Sequence, residues 1–181
     1  RYDALVRAKV AEDSFVKIVF ADDHTLIRES VSVLLRKLSS DTCIFEADNF
    51  DDAFAIASDL SSPDLIILDL FMPGMNHLSG IAVMRRHFPQ TPIVILTGAI
   101  DMDDAYRALE HGANGYIPKT IGQKAMLSAL RLILEGERFL PSQLVAQSER
   151  GRNEAGYQNL AYPKKNNPLR KLTPREREVL S

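Results

Sequence analysis

Five times along this chain a short run of apolar, mostly β-branched or aromatic residues is followed by a segment of helical period, and no other feature constrains its fold as strongly. The short runs are Lys17 to Asp22, Cys43 to Ala47, Leu65 to Asp69, Pro92 to Leu96 and Tyr116-Ile117. Each is followed by apolar residues that mark one face of a helix: Ile27, Val31, Leu34, Leu35 and Leu38 first, then Phe50, Ala53, Phe54 and Ala57. Ile81, Val83 and Met84 mark the third, Met102, Ala105, Tyr106 and Leu109 the fourth, and Met126, Leu127, Leu130, Ile133 and Leu134 the fifth. A strand that is apolar at successive positions is buried on both faces, which requires a parallel sheet with helices on each side. The pattern predicts an α/β fold, a doubly wound five-stranded parallel sheet. Such sheets bind ligands beyond the carboxyl ends of their strands, where the strand order switches.

Composition narrows the class further. With 181 residues, 45% of them apolar, the chain has enough length for one full domain and part of another. Cys43 is the only cysteine, so neither an internal disulfide nor a multi-cysteine zinc site is available, and a reducing, cytoplasmic compartment is expected. No apolar run approaches the length of roughly 18 residues that spans a bilayer, and no signal segment opens the chain; no membrane partner is expected. The net charge of -2 conceals an asymmetry, because residues 1–147 carry 14 Lys+Arg against 20 Asp+Glu while residues 148–181 carry 8 against 4. An acidic body before a basic tail points to a regulatory head joined to something that meets an anion, or to a solvated linker.

Four strand ends carry charged or reactive groups: Asp22-Asp23, Asp69, Thr97 and the vicinity of Lys119. One aspartate after a strand is ordinarily a helix cap or turn residue, but three carboxylates converging at one sheet end need a cation. Unit charges about 4 Å apart repel by roughly 4 kcal/mol at an effective dielectric near 20. Oxygen donors without cysteine or clustered histidine favour a hard ion, and Mg²⁺, which keeps waters and pairs with phosphate oxygens, fits better than Zn²⁺. Beside such an ion a carboxylate can attack a phosphoryl group. Asp69 is the candidate nucleophile, since it ends the most apolar strand. Thr97 and Lys119 are donors suited to the phosphoryl oxygens that the metal does not hold, and Gly98 leaves an open approach.

The motifs Ala21-Asp22-Asp23-His24, Asp69-Leu70-Phe71-Met72-Pro73-Gly74, Leu96-Thr97-Gly98-Ala99 and Gly112 to Lys119 resemble the receiver domains of two-component response regulators of the NarL/FixJ type. The resemblance spans about residues 17–140. It resumes at Leu172-Thr173-Pro174-Arg175-Glu176-Arg177-Glu178, which looks like the opening of a LuxR-type helix-turn-helix domain, with Thr173 and Glu176 spaced as a capping box. The resemblance implies a flavodoxin-like sheet of order 2-1-3-4-5 followed by the start of an all-α domain. It implies phosphoryl transfer from a sensor histidine kinase to Asp69, with Mg²⁺ held by Asp22, Asp23 or a water on one of them, Asp69 and the backbone carbonyl of Phe71. Thr97 and Tyr116 would form the switch, and homodimerisation and promoter binding would follow. The chain is accordingly read as a transcriptional response regulator rather than an enzyme.

Two departures stand out. Gly80 lies eleven residues after Asp69, about three later than the family's spacing, because Asn76-His77-Leu78-Ser79 intervenes; the longer loop beside the acceptor is expected to alter access or dephosphorylation. Pro118 precedes Lys119 and removes a ladder donor, which an edge strand tolerates. His24 is expected to open the first helix rather than bind metal, His77, His87 and His111 to lie in loops or at helix ends, and Cys43 to be a small buried hydrophobe. An aspartyl-phosphate phosphatase of the haloacid-dehalogenase type needs a second carboxylate where Phe71 stands. The alternative that survives is a phosphorylation-independent receiver serving as a protein-interaction module.

Residues 1–16 match no receiver pattern and are read as an N-terminal extension of native or vector origin. Residues 141–171, with Pro163, Pro168, Lys164 and Lys165 and little period, read as an interdomain linker. Residues 172–181 read as the first helix of the DNA-binding domain, which without its recognition helix is not competent to read base edges. The first residue, Arg1, and the last, Ser181 within a helical pattern, lead us to expect that both ends are boundaries within a longer protein.

Overall fold

A computed structural model describes residues 15–60, 62–98 and 101–141. In them the chain alternates β1 (Val16–Ala21), α1 (Thr25–Leu35), β2 (Thr42–Ala47), α2 (Phe50–Asp59) and β3 (Leu65–Asp69), then α3 (Ser79–His87), β4 (Ile93–Thr97), α4 (Met102–Glu110), β5 (Gly115–Pro118) and α5 (Gln123–Leu134). All neighbouring strands pair in parallel, in the order β2-β1-β3-β4-β5. The expected sheet, its order and the five βα units are all present. The calls on residues 1–14 and on the linker and DNA-binding helix over 142–181 lie outside the described residues.

Alternate residues of the central strands feed two separate cores, as the pleat requires. Val19, Ile66, Leu68, Ile93 and Ile95 face one side and pack with Ala53, Ile56 and Ala57 of α2, Ile81 and Met84 of α3 and Ala105 and Ala108 of α4. Ile18, Phe20, Leu65, Ile67, Val94 and Leu96 face the other and pack with Val31, Leu34 and Leu35 of α1 and Met126, Leu130, Ile133 and Leu134 of α5. Every residue of β3 and β4 is buried. Full burial of each large aliphatic side chain contributes about 1.5–3 kcal/mol, so these two strands anchor the sheet.

Loops at the two ends are fixed by specific donors. Asn49 caps α2 by accepting the Asp52 amide at 2.8 Å, and Asp101 caps α4 by accepting the Asp104 amide at 2.9 Å. At the amino ends of β4 and β5, the Arg85 guanidinium donates to the carbonyls of Phe88, Pro89, Thr91 and Gly112 and to Asn114 Oδ1, over 2.7–3.0 Å. Asn114 Oδ1 also accepts the Ile93 amide at 3.0 Å. Gly112 has φ 104°, and a Cβ there would stand 2.8 Å from Arg85 Cγ, so the pin requires glycine on both counts. No periodicity in the sequence signals this arrangement.

Pro118 sits on the edge strand and pairs with Thr97, and the ladder resumes with the Lys119 amide donating to the Thr97 carbonyl at 2.7 Å. Gly80 lies in the first turn of α3, where a Cβ would meet the Met75 carbonyl at 2.6 Å, so glycine is required at that close approach. Some expectations differ in detail. Val83 is exposed, being off the face set by Ile81 and Met84. Leu38 is buried but lies in a turn past the end of α1, and Cys43 is only half-buried because β2 is the opposite edge. Among the described residues no helix is long and apolar enough to cross a membrane.

Candidate functional site at the carboxyl ends of the strands

Hydrogen-bonded register carries four candidate groups to one end of the sheet. Asp69 is the last residue of β3 and Thr97 the last of β4, Asp22 directly follows β1 and Lys119 directly follows β5. The Asp22 amide still donates to Ala47 of β2 at 3.2 Å, and the Leu70 amide to Leu96 of β4 at 3.2 Å, so the chain is held in ladder geometry up to and just past the carboxylates. Asp22, Asp69 and Thr97 are 0%, 2% and 0% exposed. Buried charges at this density need partners.

Lys119 supplies one. Its Nζ lies 2.7 Å from Asp22 Oδ2 and 3.0 Å from Asp69 Oδ2, bridging β1 and β3 from β5. The approach to Asp22 is a charge contact without hydrogen-bond direction, and Asp22 Oδ2 has no hydrogen bond of its own. Burial alone would lower the Lys119 pKa, but the two carboxylates outweigh it and hold the ammonium above its ordinary value of 10.5. Asp22 Oδ1 accepts the His24 amide at 3.0 Å, and Arg28 donates to the Asp22 carbonyl at 2.6 Å. The Phe71 amide points at Asp69 Oδ1 from 3.4 Å, and the Phe71 ring is exposed.

Asp22, Asp23 and Asp69, together with His24, offer ligand atoms all within 4.8 Å of one another. Against three carboxylates the site sets one ammonium. The excess negative charge and the oxygen character of the donors fit a hard divalent cation. His24 does precede the first helix, as its N-cap, yet its ring does not turn away: Nδ1 lies 2.7 Å from Asp23 Oδ1 and 3.3 Å from Asp22 Oδ1. Sequence reasoning missed that proximity, for which the adjacent acidic pair was the available signal.

Behind Thr97, Tyr116 is wholly buried. Its pKa is raised above the ordinary 10.0, first by burial, with the Asp104 and Asp101 carboxylates adding to the rise and the Thr97 side chain and Asp101 backbone opposing it. The hydroxyl is thus close to Thr97, though not in hydrogen-bond geometry. The structure therefore brings Asp22, Asp23, Asp69 and Lys119 into one cluster, with Thr97 at the end of the neighbouring strand and Tyr116 behind it.

The family described as response regulator receiver domain matches residues 18–131. Over 137 residues the chain is 34% identical to the glycerol metabolism activator of Pseudomonas putida, an alignment covering 75% of this chain and 62% of that protein. The chain thus matches less than two thirds of that relative's length. Over 166 residues it is 32% identical to the response regulator protein VraR of Staphylococcus epidermidis, covering 91% of this chain and 74% of that one. Among solved structures, a LuxR family DNA-binding response regulator from Silicibacter pomeroyi superposes with a TM-score of 0.61 at 33% identity, covering 70% of this chain and 98% of that one.

Proposed function

The chain belongs to the response regulator receiver domain family, and from that premise we propose that it accepts a phosphoryl group on Asp69 from the phosphohistidine of a sensor histidine kinase. The observation that carries the reading is the buried Asp22–Lys119–Asp69 cluster, with excess negative charge at the carboxyl ends of parallel strands. In the transfer the phosphorus–nitrogen bond of the donor breaks and a phosphorus–oxygen bond to the Asp69 carboxylate forms. Asp22, Asp23 and Asp69, with the Phe71 carbonyl, are the residues that would hold Mg²⁺, which when bound neutralises the charge gathering on the phosphoryl oxygens. Lys119 is already between Asp22 and Asp69 and donates to an incoming phosphoryl oxygen without reorganising. Thr97 donates to a second.

The product adds about two negative charges at a buried site. Thr97 is drawn toward it, and Tyr116, buried behind Thr97, reports the change on the α4–β5 face. Homodimerisation and control of promoter DNA by a C-terminal helix-turn-helix domain in the full-length protein follow in this reading, and the protein acts in the cytoplasm as a transcription regulator rather than an enzyme. The similarity to a LuxR family DNA-binding response regulator from Silicibacter pomeroyi supports such an effector. The test is to treat the chain with phosphoramidate and Mg²⁺ and follow its mass in solution by light scattering. A shift from monomer to dimer that requires both reagents is expected, and phosphorylation without any change in association would overturn the dimerisation step.

A further inference from the structure

The loop between β3 and α3 has an unusual backbone at two successive residues. Asn76 and His77 both adopt left-handed conformation, with φ 49° and 56°. Asn and His are among the few side chains that tolerate it, provided their surroundings hold them. The Ser79 hydroxyl donates to the Asn76 carbonyl at 2.7 Å, and the Asn76 side-chain Nδ2 donates to the Gly74 carbonyl at 3.3 Å. The His77 ring lies against Phe71, centroids 5.4 Å apart, and its Nε2 stands 3.3 Å from Asp104 Oδ2 in the first turn of α4.

Each end of this bridge leads to a part of the site. Phe71 follows the acceptor by two residues and aims its amide at Asp69 Oδ1. Asp104 is fixed by the Asp101 cap, and its charge is felt at the buried Tyr116 hydroxyl. One imidazole therefore spans the loop of the acceptor and the helix that faces the switch tyrosine.

We propose that His77 is a positioning residue that ties the acceptor loop to the first turn of α4, so that occupation of Asp69 reaches the Tyr116 surface by a route separate from Thr97. The inference rests on the reading of Asp69 as the acceptor. The half-exposed pair is a modest contact taken alone. Its effect appears as a difference between the loaded and unloaded states, and by linkage the same factor governs how tightly the loaded state is held.

The experiment uses the 181-residue chain with Mg²⁺ and beryllofluoride, a phosphoryl mimic, and reads amide hydrogen exchange over residues 102–106 in loaded and free protein. His77→Asn keeps a residue suited to the left-handed backbone but is too short to reach Asp104, Asp104→Ala removes the partner, and His77→Gln restores an amide nitrogen at similar reach. Wild type is expected to change protection at α4 on loading. His77→Asn and Asp104→Ala each reduce that change by about two- to fivefold, the double variant reduces it no further, and His77→Gln recovers it. A merely structural role would move free and loaded protein alike. A wild type that loads and responds, with His77→Asn responding equally or with the two losses adding, overturns the inference. A wild type that takes up no beryllofluoride overturns the acceptor reading and this inference with it, a result distinct from loading without loss.

Discussion

Replacing Lys119 by Met tests the electrostatics of the site apart from any chemistry. In the wild type its ammonium stands 2.7 and 3.0 Å from two carboxylates that are almost completely buried. At an effective dielectric of about 20, each contact is worth about 5–6 kcal/mol of gross attraction, most of it offset by the cost of taking three charges out of water. The variant loses the attraction and keeps the desolvation of both carboxylates. Breaking a buried pair from one side costs about 3–5 kcal/mol, a large part of the roughly 5–15 kcal/mol that holds a domain together. With a urea dependence of about 2 kcal/mol per M, the unfolding midpoint in EDTA should fall by about 2 M. Mg²⁺ should then return part of the loss, about 2.7 kcal/mol at a hundred times its dissociation constant, and should stabilise Lys119→Met more than wild type. A variant within about 1 kcal/mol of wild type, or one indifferent to Mg²⁺, would refute the reasoning.

Three further outcomes follow from named contacts. Arg85→Ala takes a charged donor away from the carbonyls of Phe88, Pro89, Thr91 and Gly112 and from Asn114 Oδ1, and urea unfolding should show a loss of about 3 kcal/mol with the Asp69 site still able to bind Mg²⁺. Stability should also fall as pH climbs above about 10, because Lys119 and Tyr116 both hold their protons more tightly folded than unfolded; their contributions are complete below the ordinary values of 10.5 and 10.0 and are lost as pH passes the folded ones. Asp69→Asn removes one carboxylate that raises Lys119, so in that variant the alkaline loss should begin at lower pH; an identical pH profile would contradict the assignment.

Much of this was legible in the chain because the strongest signals are local. Ile66, Ile67 and Leu68 are consecutive, and only a strand covered on both faces accepts that pattern, so β3 and the aspartate at its end could be placed without coordinates. Strand limits shifted by a residue, as at Val16 and Thr97, since the ladder depends on a neighbour's register and not on hydropathy. His77 was legible as a loop residue, but neither its contacts nor those of Arg85 were. Their partners lie 27 and 29 residues away in one case and on another helix in the other, and a lone Arg or His has no period to betray it. His24 was read correctly for its place in the chain and incompletely for its ring, because a side chain's aim across a turn is decided by packing.

The central claim is that Asp69 is the phosphoryl acceptor, and the most direct test is intact mass after incubation with Mg²⁺ and a small phosphodonor, for wild type beside Asp69→Asn. The account predicts that wild type gains a single phosphoryl group, removed by hydroxylamine as an acyl phosphate is, and that the variant gains none. An equal gain by Asp69→Asn, or no gain by wild type even with phosphorylated sensor kinases as donors, would contradict it.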